Sequence, residues 1–203
     1  MELETQNESV ANMLGYYEYM CWYCHDQAHE LDPMSPEHQH WYNQFRGYWA
    51  QKISLLHGIT YEQALEAVEH LVVAVQHHDT IELQGVEQDF TNWLPAIWEL
   101  NEYYTLLYSF KGLSTEIAKK AAEVELQRWY AHRQKRFDDF ARLTNELLML
   151  EFSQQLPDEV GKLFAQAAEC HDVAEKRGEL EYWKLTRVLL QEHFKLLLKC
   201  IAN

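Results

Sequence analysis

Two cysteines and several histidines crowd one short stretch of the chain. Cys21, Cys24, His25 and His29 fall, at 100° per residue, within an arc of about 140° on one helical face. Thiolate with imidazole is the donor set that zinc prefers, and imidazole with carboxylate also suits iron. Glu37 and His40 follow after a short break, at the i, i+3 spacing found in carboxylate-bridged di-metal bundles. A second helix returning antiparallel would bring Glu37, His38 and His40 back near His25 and His29. The chemistry expected here is therefore zinc or iron binding by Cys21, Cys24, His25, His29, Glu37 and His40. A packed corner is the competing reading and the weightier one. Trp22, Tyr23, Trp41 and Tyr42 make the cysteines natural small core residues, and histidines suit a helix C-terminus.

Other pairings are weaker. Cys21 to His25 matches the C-x-x-C-H pattern of covalent haem attachment. That chemistry belongs to exported proteins, and MELETQNESV has neither a basic nor an apolar leader region. A redox pair would need an α/β context. Glu18 with His25, and Glu125 with His132, lie seven apart and so nearly on one face, part of what a di-iron or di-manganese site would need. A full ligand set does not follow, and solvated faces account for such pairs more simply. The histidine–aspartate neighbours His25-Asp26, His78-Asp79 and His171-Asp172 are not expected to face each other on a helix. His77 and His78 read as helix-end residues. Cys170 beside His171 is a poor nucleophile pair for the same reason. No phosphate-cradling glycine loop and no GxSxG elbow is present.

Charge is distributed unevenly. The net charge is −15, yet residues 1–100 hold two basic residues against sixteen acids, and residues 101–203 hold fifteen against sixteen. Such a field repels a phosphate backbone and attracts basic surfaces. Direct nucleic-acid binding is not expected. The one basic cluster, Arg128, Arg133, Lys135 and Arg136 with Trp129, Tyr130 and His132, is expected to face the acidic first half, within the chain or across a dimer. The four cysteines, in a chain read as cytoplasmic, are expected to be reduced.

These residues must be held by helices. Seven glycines and four prolines leave little punctuation for a β protein, and no stretch alternates with period two. Seven helical segments are expected. The first spans about Ser9 to Leu31. Ser35 and Pro36 open the second, which stops at Gly58. Thr60, with Gln63, caps a third bearing Leu65, Val68, Val72 and Val75. The polar run from His77 to Thr91 reads as irregular, with one short helical turn at most. A fourth starts near Trp93 and ends before Gly112. Ser114 caps a fifth running to about Ser153, with Phe137, Phe140, Leu143, Leu147 and Leu150 as its stripe. Pro157-Asp158 opens a sixth that ends near Gly178. The last carries Trp183, Leu190, Phe194, Leu197 and Ile201.

The sequence thus indicates an all-α, single-domain antiparallel bundle over residues 1–203, without a membrane span. Its expected role is a non-enzymatic adaptor, inhibitor or regulator that binds a basic protein surface, in the extreme as a nucleic-acid mimic. The alternative is a metal-dependent helical protein using the Cys/His corner. A homodimer is compatible with either.

Overall fold

The computed structural model describes residues 2–29, 31, 32, 34–86 and 89–202, with the side chains of residues 2–6 and 90 left aside. Pro33, expected to end the first helix, lies outside the described residues. The fold is all-α. Among the described residues there are eight α-helices, one 3-10 turn and no strand: α1 Glu2–His29, α2 Pro36–His57, α3 Tyr61–Gln84, the 3-10 turn Phe90–Trp93, α4 Leu94–Phe110, α5 Thr115–Arg133, α6 Phe137–Phe152, α7 Asp158–Arg177 and α8 Leu180–Ile201. No described helix is long and apolar enough to cross a membrane.

Helix boundaries follow local chemistry. Ser35 Oγ accepts the His38 N–H at 3.1 Å, with Pro36 at the first position of α2. Thr60 and Gln63 form a reciprocal capping box on α3. Each cap satisfies N–H groups that have no partner inside the helix. Gly58 and Gly85 end α2 and α3 in the left-handed region, φ 66° and 65°, where a β-carbon would be strained.

Two expectations are corrected. The polar run after His77 is helical as far as Gln84, because Asp79 and Ile81 are both buried there and extend the inward face of Val68, Leu71 and Val72. The long fifth helix is two helices. Lys135 takes a left-handed φ of 56°, and the Arg136 N–H closes back on the Ala131 carbonyl at 2.9 Å, so the chain caps and restarts as α6.

Backbone contacts divide the chain into two compact units, one of Met1–Met20 with Val124–Asn203, the other of Cys21–Glu123. In the first, α7 packs on α6 and α8. Its core includes Leu143, Leu147, Val160, Leu190, Phe194 and Leu197, with Phe140 stacked on Phe164 at 5.9 Å. Buried His193 donates its Nδ1–H to the Val160 carbonyl at 2.8 Å. Three of the four basic residues of the cluster have acids within this unit: Arg128 bonds Glu125 at 2.6 Å, Arg136 bonds Asp139 at 2.5 Å, and Lys135 pairs with Asp172. These three acids lie one helical turn away or on α7, not in the first half of the chain.

The second unit packs α3 between α2 and α4. Leu100, Tyr103, Tyr104, Leu107 and Tyr108 turn one face of α4 inward. Fifteen Asp and Glu against five Lys and Arg fall in this unit, and eight of the eleven histidines.

Candidate functional site

The last two turns of α1 carry Cys21, Cys24, His25 and His29. The cysteines are fully buried. Burial, with Asp26 adding to it, pushes the Cys24 thiol up to about 11, so the thiolate form that binds metals is disfavoured there. The histidines are only partly covered. Their rings lie one turn apart, with centroids at 5.9 Å, and both meet α3.

On α3, His78, Asp79 and Glu82 point to this corner and form an alternating chain with the two α1 histidines. His25 Nε2 lies 3.1 Å from Asp79 Oδ1, and His78 Nδ1 lies 3.1 Å from the same oxygen. His78 Nε2 lies 3.3 Å from Glu82 Oε1, and His29 Nε2 lies 3.8 Å from Glu82 Oε2. The order is imidazole, carboxylate, imidazole, carboxylate, imidazole. His78 reaches its own sequence neighbour Asp79, contrary to the expectation for adjacent helical residues, because Asp79 is drawn towards His25 and the imidazole is long enough to bend to it.

Tyr42 of α2 completes the group by donating its hydroxyl to Asp79 Oδ2. Burial would raise the Asp79 carboxyl, but His25 and His78 hold it well below the usual carboxylate range. Burial likewise pulls His25 down, yet Asp79 and Asp26 outweigh it and hold the imidazolium well above its ordinary pKa. Burial and Asp79 together keep the Tyr42 phenol protonated. The result is a buried carboxylate with a cationic partner and a fixed donor, an arrangement that costs little only because every charge is answered.

The inward face of α2 is His38, Tyr42 and Phe45, at i, i+4 and i+7. Glu37 and His40 stand off that face and are exposed, with the His40 ring against Trp41 at 5.4 Å. What α2 brings to His25 is Phe45, at 6.3 Å, and the Tyr42 hydroxyl on Asp79. Of the six residues expected to bind metal, His25 and His29 join the α3 group, the cysteines face the core, and Glu37 and His40 face solvent. Tyr42, His78, Asp79 and Glu82 were missed. Their signal was the i, i+4 pair His78/Glu82 matching the i, i+4 pair His25/His29, visible once α3 is read through to Gln84.

The pair Glu125 and His132 also separates. His132 Nε2 lies 3.1 Å from Asp172 Oδ1, whereas Glu125 Oε1 takes Arg128 and Trp129 at 2.6 and 2.7 Å.

A second surface lies on the α3–α4 pair. His70 Nδ1 meets Glu99 Oε2 at 2.7 Å and joins the two helices. With Ala67 and Leu71 of α3 and Leu100 and Tyr103 of α4 turned inward, the 100° step sends Glu62, Glu66 and Glu69 to the same outer side as Leu94, Trp98 and Glu102. Trp98 is 66% exposed and Leu94, one turn before it, 52%. Large apolar side chains thus stand in the open beside carboxylates. Arg46 bonds Glu69 at 2.6 Å.

Comparison of the chain with protein-family models, with curated proteins and with solved structures finds no match.

Proposed function

We propose that this chain is a non-enzymatic helical interaction protein, an adaptor, inhibitor or regulator, whose α3–α4 face binds the basic, amphipathic surface of a partner protein. The observation that carries this reading is Trp98, exposed with Leu94 on one face of α4, with the exposed carboxylates Glu62 and Glu66 on the outward face of α3. An exposed Trp on a predominantly acidic surface has the make-up of a binding hot spot: the aromatic supplies the desolvated anchor, and the carboxylates supply steering and partner choice. The excess of acids in residues 21–123 supports a basic partner and disfavours a nucleic-acid strand.

A synthetic helical peptide with leucine on one face and lysine on the other tests the reading by isothermal titration with the full chain. Binding that weakens steeply with added salt, and by roughly 30-fold in Trp98→Ala, is the expected outcome, since a hot-spot truncation costs about 2 kcal/mol or more. Affinity unchanged by both salt and Trp98→Ala would overturn the reading.

A further inference from the structure

We infer that the chain is two repeats of one four-helix unit, α1–α4 and α5–α8, and that the imidazole–carboxylate bond from the first helix of each repeat to its third is one and the same fastening device. The inference does not rest on the reading of the α3–α4 face.

The same residue types recur at the same places in both repeats. Near the end of α1 stands Glu18-x-x-x-Trp22-Tyr23-x-His25, and near the end of α5 stands Glu125-x-x-x-Trp129-Tyr130-x-His132. The end of α3 reads His78-Asp79-x-x-Glu82-x-x-Gly85, and the end of α7 reads His171-Asp172-x-x-Glu175-x-x-Gly178. The connections between helices differ in length, so no fixed period marks the repeat in the sequence. The inward faces keep register as well. Val68, Leu71 and Ala74 of α3 answer Gly161, Phe164 and Ala167 of α7, all of them buried. Leu100, Tyr104 and Leu107 of α4 likewise answer Leu190, Phe194 and Leu197 of α8.

Tertiary structure joins the two motifs of each repeat in one way. His25 Nε2 lies 3.1 Å from Asp79 Oδ1, and His132 Nε2 lies 3.1 Å from Asp172 Oδ1, so atoms, helices and distance all correspond. In each repeat the histidine just before the aspartate turns its Nδ1 to that same oxygen, at 3.1 Å for His78 and 3.9 Å for His171. The second oxygen takes another donor of its own unit, the Tyr42 hydroxyl on Asp79 and the Lys135 ammonium on Asp172. Burial would raise both carboxyls, yet these imidazoles hold both well below the usual carboxylate range. Glu18 and Glu125 are both buried, and Glu125 accepts the Trp129 indole N–H at 2.7 Å. Gly85 and Gly178 end the third helices at φ 65° and 66°, a conformation glycine adopts without strain.

What the repeats keep and what they vary follow from the same physics. Apolar core positions differ between them, Val68 against Gly161 and Leu71 against Phe164, because a core tolerates exchange among apolar side chains when the pattern is kept. The histidines and the aspartate are kept, because losing one member of a buried polar network strands the others. The bond ties the ends of the first and third helices, where a helix otherwise frays. The compact units follow the repeats too. Residues 21–29 belong with α2–α4 and residues 124–133 with α6–α8, while the earlier part of each first helix, residues 1–20 and 115–123, is grouped with the other set.

The test is a pair of double-mutant cycles in the full chain, His25→Ala with Asp79→Ala and His132→Ala with Asp172→Ala, read by urea unfolding. Each cycle should show a coupling of about tenfold in the unfolding constant. Coupling in one pair alone, or in neither, overturns the inference. Amide hydrogen exchange of the parent chain gives a second readout, which holds even if a variant fails to fold. The last turns of α3 and α7, around Asp79 and Asp172, should exchange as slowly as the centres of those helices. Rapid exchange at either end overturns the inference, since a fastened helix end does not fray.

Discussion

Gly161 of α7 sits against the Ala141 carbonyl of α6 so closely that a β-carbon there would lie 2.1 Å from the oxygen. The helices can approach this far only without a side chain at that point. Gly161→Ala must therefore push α6 and α7 apart, and overpacking of this kind costs about 1–3 kcal/mol or more. Gly47, in the middle of α2, has nothing nearer to its β-carbon site than the Tyr61 hydroxyl at 3.9 Å. Gly47→Ala should stabilise, by about 0.5–1 kcal/mol, because it only restrains the unfolded chain and favours helix. Urea midpoints of the two variants should move in opposite directions; a stable Gly161→Ala would mean that the α6–α7 contact is not close-packed.

Ser153 ends α6 with φ 54° and is exposed. A left-handed non-glycine residue is strained, and glycine adopts the same geometry freely. Ser153→Gly should raise stability by about 1 kcal/mol. A melting temperature that falls instead would show that the serine side chain stabilises the turn more than its backbone strains it.

The helices were legible wherever a boundary has its own chemistry. Ser35-Pro36, Thr60 with Gln63, Gly58 and Gly178 all act as their types suggest. The break at Lys135 was not legible, because lysine is a good helix former and nothing in its type marks a left-handed residue. The end of α3 was misread for a different reason. His78, Asp79 and Glu82 look like loop residues when their polarity is counted alone. They are helical because their partners, His25, His29 and Tyr42, come from more than thirty residues away and satisfy them. The candidate site was therefore half legible. The α1 histidines declared themselves by spacing, but the carboxylates that answer them are fixed by tertiary packing alone. Trp98 was silent in the sequence for the converse reason, since an apolar residue at helical spacing reads as core until its neighbours turn inward without it.

Leu197 and Leu147 lie in the core, Leu197 with no exposed surface and Leu147 nearly so. Both were placed on inward faces by their periodicity. Leu197→Ala and Leu147→Ala should each cost about 2–5 kcal/mol by denaturant unfolding, the loss of a buried side chain together with the cavity it leaves. Losses below 1 kcal/mol at both sites would mean that α6 and α8 do not enclose a packed interior.

The histidines do not respond to pH as one group, and two of them bracket the optimum from opposite sides. Burial, together with Lys111 and Lys52, holds His57 well below its ordinary pKa, and Lys111 Nζ sits 3.1 Å from His57 Nδ1, where only a neutral ring can accept. The unfolded chain takes up this proton first as pH falls below about 6.5, so the fold loses stability there at up to about 1.4 kcal/mol per pH unit. His25 has the reverse sign. Its folded pKa is raised to about 10 by Asp79 and Asp26 against the pull of burial, so its contribution is complete below pH 6.5 or so and is lost as pH rises towards the folded value. Stability from these two groups therefore peaks near neutrality and falls on both arms. His57→Gln, which can still accept from Lys111, should flatten the acid arm between about pH 6.5 and 5 and leave the alkaline arm in place. Urea midpoints at several pH values measure both arms at once. Equal acid slopes in the variant and the parent would mean that His57 is protonated in the fold without penalty, against the neutral ring that its contact with Lys111 requires.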